Sequence, residues 1–595
     1  MKKPIILFFL LLLSSPIYAQ AVDPAAEEQN RQIQRQQQLE RGAAEQKELQ
    51  RVQKEAKEFE EEFDENLEQE SGKVVQDLRS IQCFRINQID FSPNKVIPKL
   101  VEHSFTKEYL GKCLTINQMI KLRKNLSNYL VDKGYVTSRV AIPQQNLNNG
   151  ILNIDVIESG LEKIIFNNET FFDKAQKFTA FGFEDEEEIL NLRRIEQGVE
   201  QINRLSSSHA TIKILPGSRD KTSIIAVENK PQRRTRFSVG YDNNGSKNTG
   251  DKRETFGFTQ DNLLFLNDSF TMNRTGNTLD EHRKDQGGSN SLSGNFSVPF
   301  GWYNLTVSAS NSSYHFWQGV GKLGVKNSGR TTTKSIALDR ILLKEKNFKI
   351  SSSFGLTSRY NRSFSGDNKN EVQSRKASIA SISLPTTLFF SGASLYLKPT
   401  YSKSLNILDA KKDPSNIPSH AAHAEFEMYK FYSNFSKRFS LAQVPTSYNL
   451  TFDSQIAEQE LNGIDKFYVG GLYSVRGFKE GSISGDSGYN VKNEFTVNLG
   501  QLILPHFNQE KLPKYAAQLN RFSLTPFYDY GYVRQKGGIT SGRISGTGIK
   551  ISFAHQNFTS SLTLSQALSK SQLLGSRRHE NSALFFNMSA EVGFF

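Results

Sequence analysis

From about Arg234 to Phe595 the chain runs as short segments in which apolar and polar residues alternate one by one, separated by Asn-, Gly- and Ser-rich stretches. Thr235, Phe237, Val239 and Tyr241 alternate with Arg236, Ser238, Gly240 and Asp242. Phe522, Leu524, Tyr528, Tyr530 and Tyr532 alternate with Arg521, Ser523, Thr525, Phe527, Asp529 and Gly531, and near the end Phe586, Met588, Ala590, Val592 and Phe594 alternate with Asn587, Ser589, Glu591 and Gly593. A period of two is that of a strand whose faces meet different surroundings. Beyond the N-terminus no apolar run has the length of a membrane helix, and only 37% of residues are hydrophobic. A bundle of membrane helices is therefore excluded. Two all-β solutions remain: a soluble sandwich, or a closed barrel with apolar side chains towards lipid and polar ones towards a lumen. The 43 Phe and 20 Tyr suit the aromatic girdles of a barrel. About 360 residues at roughly 22 per strand and loop give about sixteen strands, an even number. In this phase Asp529 faces the lumen.

The N-terminus reads as an export signal over 1–21. Lys2 and Lys3 precede the apolar run Ile5–Leu13, which is too short to span a bilayer, and Ala19-Gln20-Ala21 offers small residues for cleavage after Ala19 or Ala21. Residues 22–75 are acidic, rich in Gln, Glu, Lys and Arg and nearly free of aromatics, a composition that favours a polar helix but buries no core. The whole chain carries +13, so the remainder is more basic still. In an exported chain this fits a basic pore lining or contacts to anionic headgroups better than nucleic acid, with a solvated basic surface as the plain alternative. Cys83 and Cys113 are the two cysteines. In an exported chain they are expected to pair, two buried free thiols being the alternative.

Two globular units follow, 76–158 and 159–231. In the first, Phe84–Phe91 reads as a strand, Thr115 N-caps a helix with Ile116, Ile120, Leu126 and Leu130 on one face, and Gly134 ends it. Tyr135–Ile142 and Ile151–Ile157 then read as strands joined at the turn signal Asn148-Asn149-Gly150. The order strand, helix, helix, strand, strand repeats with Leu161–Phe166, the face Leu192, Ile195, Val199, Ile202 and Leu205, then Ala210–Leu215 and Ser223–Val227.

Within the alternating region, Gly470-Gly471-Leu472-Tyr473-Ser474-Val475-Arg476-Gly477-Phe478 stands out. An arginine between flexible glycines can be pushed into a confined space, where it needs a carboxylate. Asp529, in Phe527-Tyr528-Asp529-Tyr530-Gly531, is one candidate; Glu480, Asp486 and Glu494 are nearer in sequence. The tetrad Val475, Arg476, Gly477 and Phe478 resembles the sixth-extracellular-loop motif of two-partner secretion transporters (the TpsB family). Phe527, Asp529 and Gly531 resemble the barrel-wall motif that receives that loop. The two repeated units resemble POTRA domains, and the run Gly134–Leu147 resembles the characteristic stretch of the first of them.

The resemblance implies a mainly β chain: a signal peptide, an N-terminal plug helix and linker (22–75), POTRA 1 (76–158), POTRA 2 (159–231) and a transmembrane β-barrel of about sixteen strands (232–595). It implies a place in the bacterial outer membrane with the N-terminal domains in the periplasm. The expected function is secretion of an unfolded exoprotein, recognised by the POTRA domains through Tyr135, Thr137, Arg139 and Pro143 and passed through the pore without nucleotide hydrolysis. The implied partners are a large β-helical adhesin, haemolysin or contact-dependent inhibition toxin, the lipid bilayer with lipopolysaccharide, and the barrel-assembly machinery; no cofactor is expected. An outer-membrane insertase of the same superfamily, or a passive porin, is the alternative. Catalysis has no footing. His420 and His423 with Asp413, Glu425 and Glu427 form no metal pattern, and neither a P-loop nor a Gly-x-Ser-x-Gly elbow is present.

Overall fold

The computed structural model describes residues 83–594 apart from 184–187, 278–286, 319–323, 346, 372, 391, 419–420, 442, 504–517, 537–539 and 580. The expected signal peptide and the polar segment 22–75 lie outside the described residues, as do His420 and Phe595.

The first unit comprises β1 (Cys83–Ile86), β2 (Gln88–Phe91), α1 (Lys99–Thr106), β3 (Lys112–Thr115), α2 (Ile116–Asp132), β4 (Arg139–Ala141) and β5 (Ile151–Ile157). The expected single first strand is two. β1 pairs antiparallel with β3, whereas β2 turns at Asn87 and runs parallel to β5. The Cys83–Cys113 disulfide ties β1 to β3. Closing a loop of that length is worth about 3–4 kcal/mol in the chain-entropy model. Thr115 caps α2 in a reciprocal box with Gln118. The buried face of α2 is Met119, Leu122, Leu126 and Leu130, while Ile116 and Ile120 are exposed. Spacing alone placed the apolar stripe one residue off at its N-terminal end. The expected strand Tyr135–Ile142 shrinks to Arg139–Ala141 because Tyr135 and Val136 pack into different cores. The tight hairpin at Asn148-Asn149-Gly150 is instead a short 3₁₀ turn, Leu147–Asn149, closed by Gly150 in the left-handed region at φ 76°.

The second unit holds β6 (Gly160–Phe166), α3 (Phe171–Phe181), α4 (Leu192–Asn203), β7 (Ala210–Pro216) and β8 (Thr222–Asn229). Its sheet runs β6-β8-β7, and Leu192, Ile195, Val199 and Ile202 of α4 pack on Phe166, Ile212, Ile225 and Val227.

The alternating region forms a closed antiparallel barrel of sixteen spans among the described residues. Three short pieces, Asn368–Lys369, Arg375–Ser383 and Thr386–Phe390, make one span between Phe348–Ser365 and Ala393–Leu405. The last strand, Ser582–Phe594, closes on the first, Thr235–Asp242, with Phe594 opposite Thr235 and Asn587 opposite Asp242. Phe237, Val239, Met588, Val592 and Phe594 point outwards and are exposed, as the dyad pattern requires.

The second unit docks under the end of the barrel where the first strand begins. Gln197 and Gln201 of α4 both donate from Nε2 to the carbonyl of Gly301, at 3.3 and 2.8 Å. Glu200 sits between Lys344, which donates to its Oε1, and Lys349, whose Nζ donates to Oε2 at 3.2 Å. Burial pushes the Glu200 carboxyl up, but the two ammonium groups outweigh it and hold it below the usual carboxylate range. A depressed carboxylate contributes stability that is fully present above its unfolded value, about pH 4.3, and is lost as pH falls through the folded value. Docking should therefore be flat with pH around neutrality and loosen only below about pH 4. Glu200→Gln should show the loosened state already at pH 7, read as faster proteolysis of the Lys230–Arg234 connector.

Candidate functional site

The segment 458–486 joins the barrel strands Val444–Ala457 and Ser487–Asn498 at the end away from the two units. It does not project outwards. A short hairpin, Phe467–Val469 with Ile483–Gly485, carries its middle into the lumen against the wall. Val469, Val475, Phe478 and Ile483 are buried there with Val533, Ile544 and Leu574. Asp486 holds the base, accepting from the backbone N–H of Leu461 at 2.7 Å and of Lys536 at 2.8 Å.

Arg476 is 1% exposed, and Asp529 is fully buried. The guanidinium donates Nε–H to Asp529 Oδ2 and Nη2–H to Oδ1, both at 2.6 Å, and the Arg476 backbone N–H adds a third bond to Oδ2 at 3.0 Å. Nη1 donates to Glu494 Oε1 at 2.5 Å. The guanidinium also lies over the Phe527 ring, 3.5 Å from its centroid. Two-pronged geometry, desolvation and an aromatic face combine to fix the side chain. Lys492 stands opposite Asp529 in the strand register, and Lys550 Nζ is 3.7 Å from Glu494.

The wall makes room with glycines. A Cβ on Gly531 would lie 2.0 Å from Val469 Cγ1, and one on Gly546 would lie 1.7 Å from the Arg476 carbonyl oxygen. On the loop, Gly477 has φ 112° and comes so near the strand Phe558–Ser569 that a Cβ would sit 2.9 Å from the Gln566 backbone. Loop and wall thus meet backbone to backbone.

The sequence motifs are brought together: Val475, Arg476, Gly477 and Phe478 on the loop, Phe527, Asp529 and Gly531 on the wall. The competing acceptors divide. Glu494 shares the arginine with Asp529, Glu480 instead accepts from the Lys247 backbone N–H, and Asp486 stays at the loop base. Glu494 lies on the lumenal face, its neighbour Phe495 facing outwards. Gly546 carried no motif, and its role appears only from the proximity of the loop.

The run that carries Tyr135, Thr137, Arg139 and Pro143 starts at the joint between the two units, and Arg139 lies in β4 opposite Ile157. Tyr135 packs against the first core and Val136 against the second; the Leu192 N–H donates to the Gly134 carbonyl at 2.7 Å. Arg139 is exposed, whereas Tyr135, Thr137 and Pro143 are partly covered. His423 Nδ1 is 2.9 Å from Asp413 Oδ2 in the loop 406–426, where the pair staples the loop; His420 is not described.

The chain matches the model of the haemolysin secretion/activation proteins ShlB/FhaC/HecB over residues 221–553. Residues 84–159 match the ShlB-type POTRA domain and 160–216 a further POTRA domain. Among curated proteins it is 28% identical over 425 residues to the outer membrane transporter CdiB of Dickeya dadantii (strain 3937), covering 71% of this chain and 73% of that one. It is 27% identical over 441 residues to the hemolysin transporter protein ShlB of Serratia marcescens, covering 72% and 74%. Of solved structures, CdiB from Escherichia coli superposes with a TM-score of 0.76 at 21% identity, over 91% of this chain and 98% of that one. CdiB from Acinetobacter baumannii gives 0.68 at 20% identity, over 92% and 99%; both are likenesses of fold.

Proposed function

Because the chain belongs to the ShlB/FhaC/HecB family of haemolysin secretion/activation proteins, and is thus an outer-membrane transporter of two-partner secretion with its N-terminus in the periplasm, we propose that it moves one unfolded exoprotein through the barrel under the control of the inserted loop. The observation that carries this reading is the Arg476–Asp529–Glu494 anchor inside a closed barrel that stands on two POTRA domains. The anchor holds the loop 458–486 at the wall, and the outer strands of the POTRA sheets, β4 and β7 among the described residues, offer backbone pairing to an extended chain. Folding of the cargo outside gives direction without nucleotide. The cargo class is that of the relatives, a haemolysin or a contact-dependent inhibition toxin, and the first POTRA domain recognises it through Tyr135, Thr137, Arg139 and Pro143, of which Arg139 is exposed. The polar segment 22–75 serves as the plug and linker.

Deletion of the gene, followed by comparison of periplasmic and supernatant proteins, tests the reading. One large exoprotein should disappear from the supernatant and accumulate or be degraded in the periplasm, with other outer-membrane proteins at their normal levels. A general fall in outer-membrane proteins overturns it in favour of an insertase.

A further inference from the structure

The helix α3 of the second POTRA domain is clamped to two periplasmic barrel turns by its buried side. Asn267 Nδ2 donates to the Gln176 carbonyl at 2.7 Å and to Thr179 Oγ1 at 3.0 Å, and the Gly301 N–H donates to the Thr179 carbonyl at 2.9 Å. The side turned away from the domain core is aromatic. Phe171 is 79% exposed and Phe183, just past the helix, 80%; Phe172 and Phe178 are also exposed. A periplasmic domain in water has no use for such a patch.

The rings are not isolated. Phe172 is 4.3 Å from Phe265, in a barrel turn that also exposes Leu263 and Leu264. Phe178 and Phe183 are 5.2 and 5.6 Å from Phe300. Phe300 pairs with Tyr303, and Tyr303, Leu305 and Val307 run up the exposed outer face of their strand. The patch therefore continues the lipid-facing surface of the barrel without a polar break at Phe300. Lys174 is exposed one turn from Phe171 and Phe178 on the same helix face, and the Arg234 guanidinium lies 5.5 Å from the Phe265 ring. Aromatic rings beside cations are the make-up of a helix lying in a membrane interface.

We propose that α3 is a membrane-contact helix: Phe171, Phe172, Phe178 and Phe183 enter the periplasmic leaflet of the outer membrane, with Lys174 at the phospholipid phosphates. The inference rests on the placement of the barrel in the outer membrane and goes beyond the transport reading. It makes the bilayer a further support of the second POTRA domain, beside the polar contacts that Gln176, Thr179, Glu200 and Gln201 make with the barrel. A helix held in this way fixes the domain's height below the pore.

The described cysteines are both in the disulfide, so single reporter cysteines can be added to the full chain. Nitroxide labels at Phe171→Cys and Phe178→Cys, in vesicles of phosphatidylethanolamine and phosphatidylglycerol, are compared for collision with oxygen and with a water-soluble nickel chelate. Val307→Cys on the barrel wall is the lipid control. Lys213→Cys is the water control, its neighbour Ile212 pointing into the core and Lys213 therefore away from the helices. The α3 labels should favour oxygen, with the sign of Val307→Cys and opposite to that of Lys213→Cys. If they read as water in vesicles while Val307→Cys reads as lipid, the proposal is overturned with the barrel reading intact. If they become immobile only when an unfolded exoprotein segment is added, the patch is a polypeptide surface and the proposal is likewise overturned. A water-like Val307→Cys would instead count against the barrel's place in the bilayer.

Discussion

Asp529→Ala should abolish secretion while leaving the barrel assembled, and it should do more damage than Arg476→Ala. The reason is charge balance in a dry site. Arg476, Lys492 and Lys550 face Asp529 and Glu494 around the loop tip. Losing the arginine leaves two cations and two carboxylates, which still neutralise one another. Losing the aspartate leaves three cations on one carboxylate and strips Arg476 of three hydrogen bonds, two from the guanidinium and one from its backbone N–H. Removing one partner of a buried pair costs about 3–5 kcal/mol. The barrel is closed by strand pairing that does not involve the loop, so this cost is relieved by releasing segment 458–486 from the wall. The expected readout is a loop newly open to protease from outside, with unchanged heat-modifiable migration of the barrel. Arg476→Lys keeps the charge but loses the two-pronged fit, and should fall between wild type and Asp529→Ala. Full secretion by Asp529→Ala, with the loop still protected, would remove the anchor from the mechanism.

Much of this architecture was legible in the residues. The dyad alternation narrowed the fold to a barrel or a sandwich, the family resemblance favoured the barrel, and the phase then placed Asp529 on the lumenal side, because a strand's faces cannot exchange without moving every side chain. Helix caps were equally local: Thr115 and Gln118 satisfy the first turn of α2 whatever surrounds it. Where the reading failed, a distant surface had decided. Ile116 and Ile120 fit a helical stripe, yet the sheet of the first POTRA domain meets α2 one residue further round. Tyr135 and Val136 look like the start of a strand, but two domains compete for them. The docking glutamines Gln197 and Gln201 reach a carbonyl about a hundred residues away, and no local pattern marks them. Glu494 is intermediate. The sequence offered it as a rival acceptor to Asp529, and only proximity shows that both act on the same guanidinium.

Gly546 offers a test of the loop's position that leaves every charge in place. A Cβ there would be 1.7 Å from the Arg476 carbonyl oxygen, which is backbone and cannot rotate away. Gly546→Ala should therefore push the loop off the wall or strain the strand Ser541–His555, at a cost of about 1–3 kcal/mol. The loop is the softer element, since the strand is paired on both edges. Secretion should fall, and the pore measured in a planar bilayer should open to larger conductance as the loop leaves the lumen. The double change with Asp529→Ala discriminates further. If both act by expelling the same loop, the second finds nothing left to displace, and their effects on stability and conductance should fall well short of additive. Simple additivity would mean that the two residues report on different parts of the barrel, and that the arginine does not rest against Gly546 in the resting pore.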